Sequence, residues 1–272
     1  MNILMFRTKK IEQQKQINKS NKKMTVINTY NENSLHRTLK NIYALEFSGK
    51  TEQKSGRFIC DIITQNDEII EIQTSNISAL KRKIEYFLNK NKKIKIVHPL
   101  IEEKIIKTFS PDATLLSKRK SPAKQTVYTA LRSLTGIYTF LGNKNLSIEF
   151  LNVKITEIRR QTEQNVQNKT KSRRHLKNYL VTDKILETIN SKQIFHTKED
   201  WKSLLPQSLP DFFTPPELQQ ALLKKNWPQN FSKTNIKSCV KCYTLLIWLL
   251  EKMHLIKKTD KKKGKSWIYK IN

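Results

Sequence analysis

"EIIEIQTS", Glu68 to Ser75, is an apolar run that carries charge where a packed strand should carry none. Side chains two apart in a strand share a face, so Glu71 and Gln73 point one way while Ile70 and Ile72 point the other. Ten residues before Glu71, Asp61 interrupts a second β-rich run, "RFICDII" (Arg57 to Ile63). The linking Thr64-Gln65-Asn66-Asp67 makes the two runs an antiparallel hairpin, which brings Asp61 and Glu71 onto adjoining strands.

Upstream of the hairpin, Ser34 reads as an N-cap and Leu35, Leu39, Ile42 and Tyr43 recur at helical spacing. Downstream, "NISALKRKIEYFLNK" places Ile77, Leu80, Ile84, Phe87 and Leu88 on one stripe. "KIKIVHPL" (Lys93 to Leu100) then returns as a buried strand ended by Pro99, and a strand, covering helix and further strand imply an α/β core. Residues 108–124, with Pro111, Pro122 and "SKRKSPAK", read as a surface loop; "TVYTALRSLTGIYTFL" reads as a helix and "LSIEFLNVKI" as a strand. These elements make a first α/β domain of residues 34–160, preceded by a basic arm (1–33) and followed by a basic linker (161–177) containing "NKTKSRRHLK".

The last stretch, 178–272, reads as a second domain. "NYLVTDKILETIN" is expected to be a helix, "FTPPELQQALLKK" a helix capped by Thr214, and Lys233 to Met253 one long helix; two short strands then flank Gly264. That order is the order of a winged helix-turn-helix.

With 52 Lys+Arg against 23 Asp+Glu, the net charge of +29 predicts a polyanionic partner, and DNA is the first candidate. Eight lysines crowd the expected wing against Asp260 alone, and lysines contact phosphates rather than bases. The expected DNA contacts are Arg173 and Arg174 in the linker, Lys237 and Lys241 on the long helix, and Lys258, Lys261, Lys262, Lys263 and Lys265 in the wing. A dimerisation module would explain the same basic helices, so a homodimer stays open. The three cysteines are too few for a disulfide framework and suit a reducing cytoplasm, and Cys239-Val-Lys-Cys242 lies in a helical run rather than at zinc-finger spacing. "MNILMF" is too short for a signal-peptide core, and the apolar run Tyr243 to Leu250 is too short to span a bilayer, so no membrane partner is expected. The five His (36, 98, 175, 196, 254) show no ligand spacing, and His98 before Pro99 reads as structural.

Asp61, nine residues, Glu71-Ile72-Gln73, then a helix and a strand resembles the restriction-endonuclease-like nucleases of the PD-(D/E)xK superfamily. Their signature is Asp, then Glu or Asp, one residue, and Lys. The resemblance implies a mixed sheet flanked by helices, with Asp61 and Glu71 as ligands of Mg²⁺ or Mn²⁺ and a catalytic acid near the leading helix, either Glu46 or Glu52. Gln73 departs from the pattern, because lysine is expected there; members exist with glutamine at that position or with the lysine moved to the following helix. On a helical wheel Lys81 falls roughly 55° from the apolar stripe and Lys83 roughly 105°, which makes Lys81 the expected replacement. The segments around Ser34 to Ala44, Ile59 to Ile84, Lys93 to Leu100 and "RKSPAK" also resemble a family of uncharacterised bacterial proteins. The resulting expectation is a metal-dependent DNA endonuclease or DNA-processing protein with a C-terminal winged helix. Its rival is a non-enzymatic DNA-binding protein or regulator whose nuclease-like domain is inactive, a reading that Gln73 favours.

Overall fold

In this computed structural model, residues 33–167 and 176–272 are described. The Asn33 side chain accepts the His36 N–H and caps α1 (Ser34–Glu46), one residue earlier than the expected Ser34 cap. Three strands follow: β1 (Lys50–Ser55), β2 (Phe58–Ile63) and β3 (Ile69–Ile72), each antiparallel to the one before. β1 is too polar to announce itself, and it forms because Gly56, at φ 58°, turns the chain tightly back onto β2. After a single 3₁₀ turn (Ile77–Leu80), α2 (Lys81–Asn89) leads into β4 (Ile94–Phe109), which runs parallel to β3.

β4 continues through Pro99, where the sequence predicts its end. The Ile69 N–H meets the Lys93 carbonyl and the Gln73 N–H meets the Val97 carbonyl, so the odd-numbered residues of β4 bond toward β3. Pro99 therefore lacks its N–H on that side, just beyond the last residue of β3, where no ladder bond is lost. Part of the expected loop 108–124 is β5 (Leu115–Lys120), an exposed strand antiparallel to the second half of β4. The single helix expected over Thr126 to Leu141 is broken into α3 (Val127–Ala130) and two 3₁₀ turns.

A long ribbon closes the sheet. β6 (Leu146–Val166) runs parallel to β4 and pairs antiparallel with β7 (Lys177–Phe195), giving the order β1-β2-β3-β4-β6-β7 with β5 beside β4. Two expectations fail here. "NYLVTDKILETIN" is strand, because Val181, Thr182, Ile185, Thr188 and Ile189 supply β-branched side chains and β6 supplies a partner along the whole length. The linker expected at 161–177 begins and ends in these paired strands, since Gln161 pairs with Tyr179 and Val166 with Lys177. Residues 168–175, with Arg173 and Arg174, lie outside the described residues, as does the expected arm up to residue 32.

After α4 (Lys198–Lys202) and β8 (Phe212–Phe213), α5 (Pro215–Lys224) starts with Thr214 and Glu217 in a reciprocal capping box. The expected long helix is two, α6 (Lys233–Val240) and α7 (Tyr243–Lys252), parted at Lys241 and Cys242. β9 (Ile256–Lys263) and β10 (Ser266–Ile271) join β8 in a three-stranded sheet.

The fold is mixed α/β, and both faces of the large sheet are covered. On one face Leu35, Leu39 and Tyr43 of α1 pack on Ile62, Ile70, Ile72, Val97, Leu151, Val153 and Ile155. On the other, a single core runs from Ile69, Ile84, Phe87 and Ile96 through Phe150 and Phe195 to Trp201, Leu218, Leu222, Leu246 and Leu250. The C-terminal helices thus share a core with the sheet rather than standing behind a linker. Among the described residues no helix is long and apolar enough to cross a membrane. Leu39 is fully buried at the centre of the α1 face, so Leu39→Ala should cost about 3 kcal/mol. Urea unfolding should show a lower midpoint at unchanged slope; a loss below about 1 kcal/mol would mean that α1 does not seal that face.

Candidate functional site

The hairpin that carries Asp61 and Glu71 forms as the sequence predicts, but its ladder stops short. Ile62 pairs with Ile70 and Ile63 with Ile69, and beyond them the strands are joined by side chains. The Asp61 N–H donates to Glu71 Oε1 at 3.2 Å, and the Ile72 N–H donates to Asp61 Oδ2 at 2.8 Å. Each carboxylate satisfies a backbone donor of the facing strand. The two acids are thereby brought together at a point where the sheet is opening.

Cations converge from both covering helices. Lys83 of α2 places its Nζ 2.6 Å from Glu71 Oε2 and 2.6 Å from the Ile59 carbonyl oxygen. His36 of α1 places Nε2 3.4 Å from Asp61 Oδ2. One helical turn further along α1, the buried Lys40 is paired with Glu52. Thr51 pairs with Ile62 and Gln53 with Cys60, so Glu52 sits opposite Asp61 in the β1–β2 register. Its φ of 53° is left-handed, uncommon for a residue other than glycine.

Other expected residues are placed elsewhere. Lys81 is exposed at the start of α2, and Lys83 takes the role expected of it. A lysine stem reaches sideways along the sheet surface, so the angle of its Cα on the helical wheel is a poor guide to its ammonium. Glu46 pairs with Lys192 of β7. Gln73 folds its Oε1 back onto the Ser75 N–H and hydroxyl, at 3.3 and 3.0 Å. His36 was legible only as a scattered histidine; its spacing of four from Lys40 on one helix face was the available signal. His98 is buried, with Nδ1 2.6 Å from the Gln73 carbonyl oxygen, and burial holds its pKa below the usual value despite that bond.

The two acids titrate apart. Glu71 is 3 % exposed; burial first and the Asp61 charge second push its carboxyl up to about 7, against the pull of Lys83. Burial also works to raise Asp61, but the His36 bond and charge, the Ile72 N–H and Lys83 outweigh it and hold that carboxyl below its ordinary value. Glu71 thus stays open to a proton or a cation in spite of Lys83. Asp61 Oδ1 has no hydrogen-bond partner among the described residues. Two carboxylates and water suffice for Mg²⁺, so the donor set fits a divalent cation, although no three His, Cys, Asp or Glu side chains cluster among the described residues.

Of the expected DNA contacts, Lys237 and Lys241 are exposed on and just after α6, and Lys258, Lys261, Lys262, Lys263 and Lys265 are exposed on β9 and the turn to β10. Lys258 and Lys262 lie 4.0 and 4.2 Å from the centroid of the half-buried Trp267, and Lys263 is paired with Glu217 at 2.7 Å. Cys239 is buried with Sγ 3.2 Å from the Thr126 hydroxyl, and the Cys242 Sγ lies 3.6 Å from the Ser238 carbonyl oxygen.

Residues 33–196, from the α1 cap to the end of β7, match a family described as a domain of unknown function (DUF8091). The chain belongs to that family. The matched range stops just after the sheet is complete, and in this chain it spans the large sheet with α1 and α2, Asp61, Glu71 and Lys83 among them. An uncharacterized protein of Treponema pallidum (strain Nichols) is 26% identical over 194 residues, covering 71% of this chain and 74% of that protein. No solved structure matches the chain.

The Glu71 shift has a sign. Between about pH 4.5 and 7 the folded chain holds a proton on Glu71 that the unfolded chain releases, so this group's contribution to stability falls as pH rises through that window. Glu71→Gln removes the effect. The variant should therefore gain on the parent in urea midpoint between about pH 5 and about pH 8; a constant difference would mean that Glu71 ionises normally.

Proposed function

We propose that this DUF8091 chain is a metal-dependent DNA-cleaving or DNA-processing protein of the restriction-endonuclease-like type, whose C-terminal segment acts as a winged helix on DNA. The observation that carries the reading is the Asp61–Glu71 pair at the opening between β2 and β3, with the Lys83 ammonium on Glu71. The surrounding order, a leading helix, a hairpin, a covering helix with a lysine and a strand parallel to β3, is what the resemblance implies.

Asp61 and Glu71 would hold Mg²⁺ or Mn²⁺, which when bound supplies charge neutralisation at a phosphodiester and an acidified water. Lys83 has two of its three donors on Glu71 and Ile59, so it fixes the carboxylate and keeps a third for a phosphate oxygen. His36 holds Asp61 ionised from the other side of the sheet. The exposed lysines of β9 and α6 contact DNA backbone, and α5, α6 and the β9–β10 hairpin supply the helix, helix and wing of the module.

A second reading, a DNA-binding protein without cleavage, is favoured by Gln73. Its side chain is turned onto Ser75, and both acids already serve backbone donors as structural braces.

Mg²⁺ or Mn²⁺ should raise the melting temperature by binding the folded state, more strongly above about pH 7 where no proton competes at Glu71. Asp61→Asn and Glu71→Gln should abolish that rise and any cleavage of duplex or branched DNA. Lys83→Ala should lower turnover about 100-fold with little change in binding, and Lys81→Ala should behave as the parent. A parent with no metal response and no cleavage leaves the second reading. In either case affinity for DNA should fall with salt at a log–log slope near −5 for about six phosphate contacts; a flat response would remove DNA as the partner.

A further inference from the structure

A second site lies away from the carboxylate pair. Between α3, the middle of the sheet and the chain after α5 is a cavity of about 300 Å³, at the lower end of the range for small-ligand pockets. Its lining combines Glu102, Tyr128, Lys225, Asn226, Trp227 and Phe231 with side-chain amides of the sheet. Trp227 and Phe231 are stacked, with ring centroids 5.9 Å apart and planes 17° apart, and Tyr128 meets the Trp227 ring edge-on at 5.5 Å. The indole is fixed, because Nε1 donates to the Leu222 carbonyl at 2.9 Å. Flat, immobile apolar walls of this kind suit a planar ring.

The two charges in the cavity form no ion pair with each other, and the Lys225 ammonium has only rings beside it, 5.0 Å from the Tyr128 centroid and 6.0 Å from that of Trp227. Lys225 Nζ donates to the Tyr128 hydroxyl at 2.7 Å, and that hydroxyl in turn donates to the Leu204 carbonyl at 2.8 Å. An ammonium has three donors, and the other two of Lys225 meet no acceptor among the described residues. Among the described residues no carboxylate lies in ion-pair range of it, and burial holds its pKa below the usual lysine value. Outside the lining, the Lys124 ammonium lies 5.3 Å from the Phe231 centroid. Glu102 is likewise without a cation among the described residues; its oxygens accept only the amides of Asn190, at 3.0 Å, and Asn230, at 3.4 Å. An unpaired ammonium asks for an anion and an unpaired carboxylate for an N–H donor. With aromatic walls lining the same cavity, the complement is a nucleotide: phosphate, planar base and exocyclic amine.

We propose that this cavity binds one nucleotide unit, with its phosphate on Lys225, its base against Trp227 and Phe231, and a base amine on Glu102. Carboxylates accept from cytosine and adenine amines, whereas thymine offers none in their place. The site stands apart from the nuclease reading, since neither Asp61 nor Glu71 lines it. Either a free nucleotide or an unpaired nucleotide of a DNA strand would present this chemistry.

Calorimetric titration of the full chain with dAMP, dCMP, dTMP and deoxyadenosine tests it. dAMP and dCMP should bind saturably and about tenfold more tightly than dTMP, and deoxyadenosine, lacking phosphate, should bind more weakly than dAMP. Lys225→Met should bind dAMP and deoxyadenosine alike, Lys225→Arg should keep the difference, and Glu102→Gln should erase the preference over dTMP. A short single-stranded oligonucleotide that displaces dAMP would identify the unit as part of a strand; dAMP binding undisturbed by it would identify a free nucleotide. Absence of saturable binding, or binding unchanged in both Lys225→Met and Glu102→Gln, would overturn the proposal. Asp61→Asn should bind dAMP as the parent does, so loss of cleavage and loss of nucleotide binding remain separate results.

Discussion

The reciprocal bonding of Asp61 and Glu71 to each other's strands is the constraint around which the rest is arranged. Two strands that part in a protein interior leave backbone N–H groups without acceptors, and each such group costs about 1–3 kcal/mol. Here acidic side chains supply the acceptors. The cost reappears as electrostatics, because a buried and a half-buried carboxylate side by side need positive charge nearby. α1 and α2 deliver it from opposite faces through His36 and Lys83. The covering helices are thus tied to the sheet by charge as well as by apolar contact, and both ties meet at one place.

The same economy explains why the C-terminal third is not a free module. Trp201, Leu218, Leu222, Leu246 and Leu250 pack into the core that begins with Ile69 and Ile84. The α5–α7 segment therefore moves with the sheet and has a fixed relation to it. Under the proposed function, a basic face on such a segment would position a bound polymer relative to the carboxylates, which a flexibly tethered module cannot do.

Much of the first half was legible because its signals are local. The alternation in "EIIEIQTS", the Thr-Gln-Asn-Asp connection and the stripe of α2 each decide their element within a dozen residues, and so the Asp61–Glu71 juxtaposition followed from spacing. What failed depended on distant partners. Asn178 to Asn190 fits a helical stripe about as well as a strand, and only the presence of β6 decides it. Pro99 stops a strand unless its missing donor falls beyond the neighbouring strand's end, a fact of register that no window contains. Lys83 rather than Lys81 was decided by the reach of a flexible stem, and His36 by the packing of α1 over β2. The expected linker met a related difficulty: its charged, Gly-free ends, 161–166 and Lys177, look like a linker but belong to the paired strands β6 and β7.

The place of β4 in the sheet sets an order of events during synthesis. One edge of β4 is met early by β3, but its other edge belongs to β6, whose first residue comes 37 positions after the last of β4 (146 − 109). Ribosomes add about 5–20 residues per second. For several seconds a nascent chain therefore offers an unpaired edge flanked by Ile94, Ile96 and Val97, and β6 remains in turn exposed until β7 arrives. An open apolar edge is a template for another copy of itself. The lysines at positions 93, 95, 104 and 107 bracket and interrupt that edge, and their mutual repulsion between neighbouring chains protects it during the interval before its own partner exists.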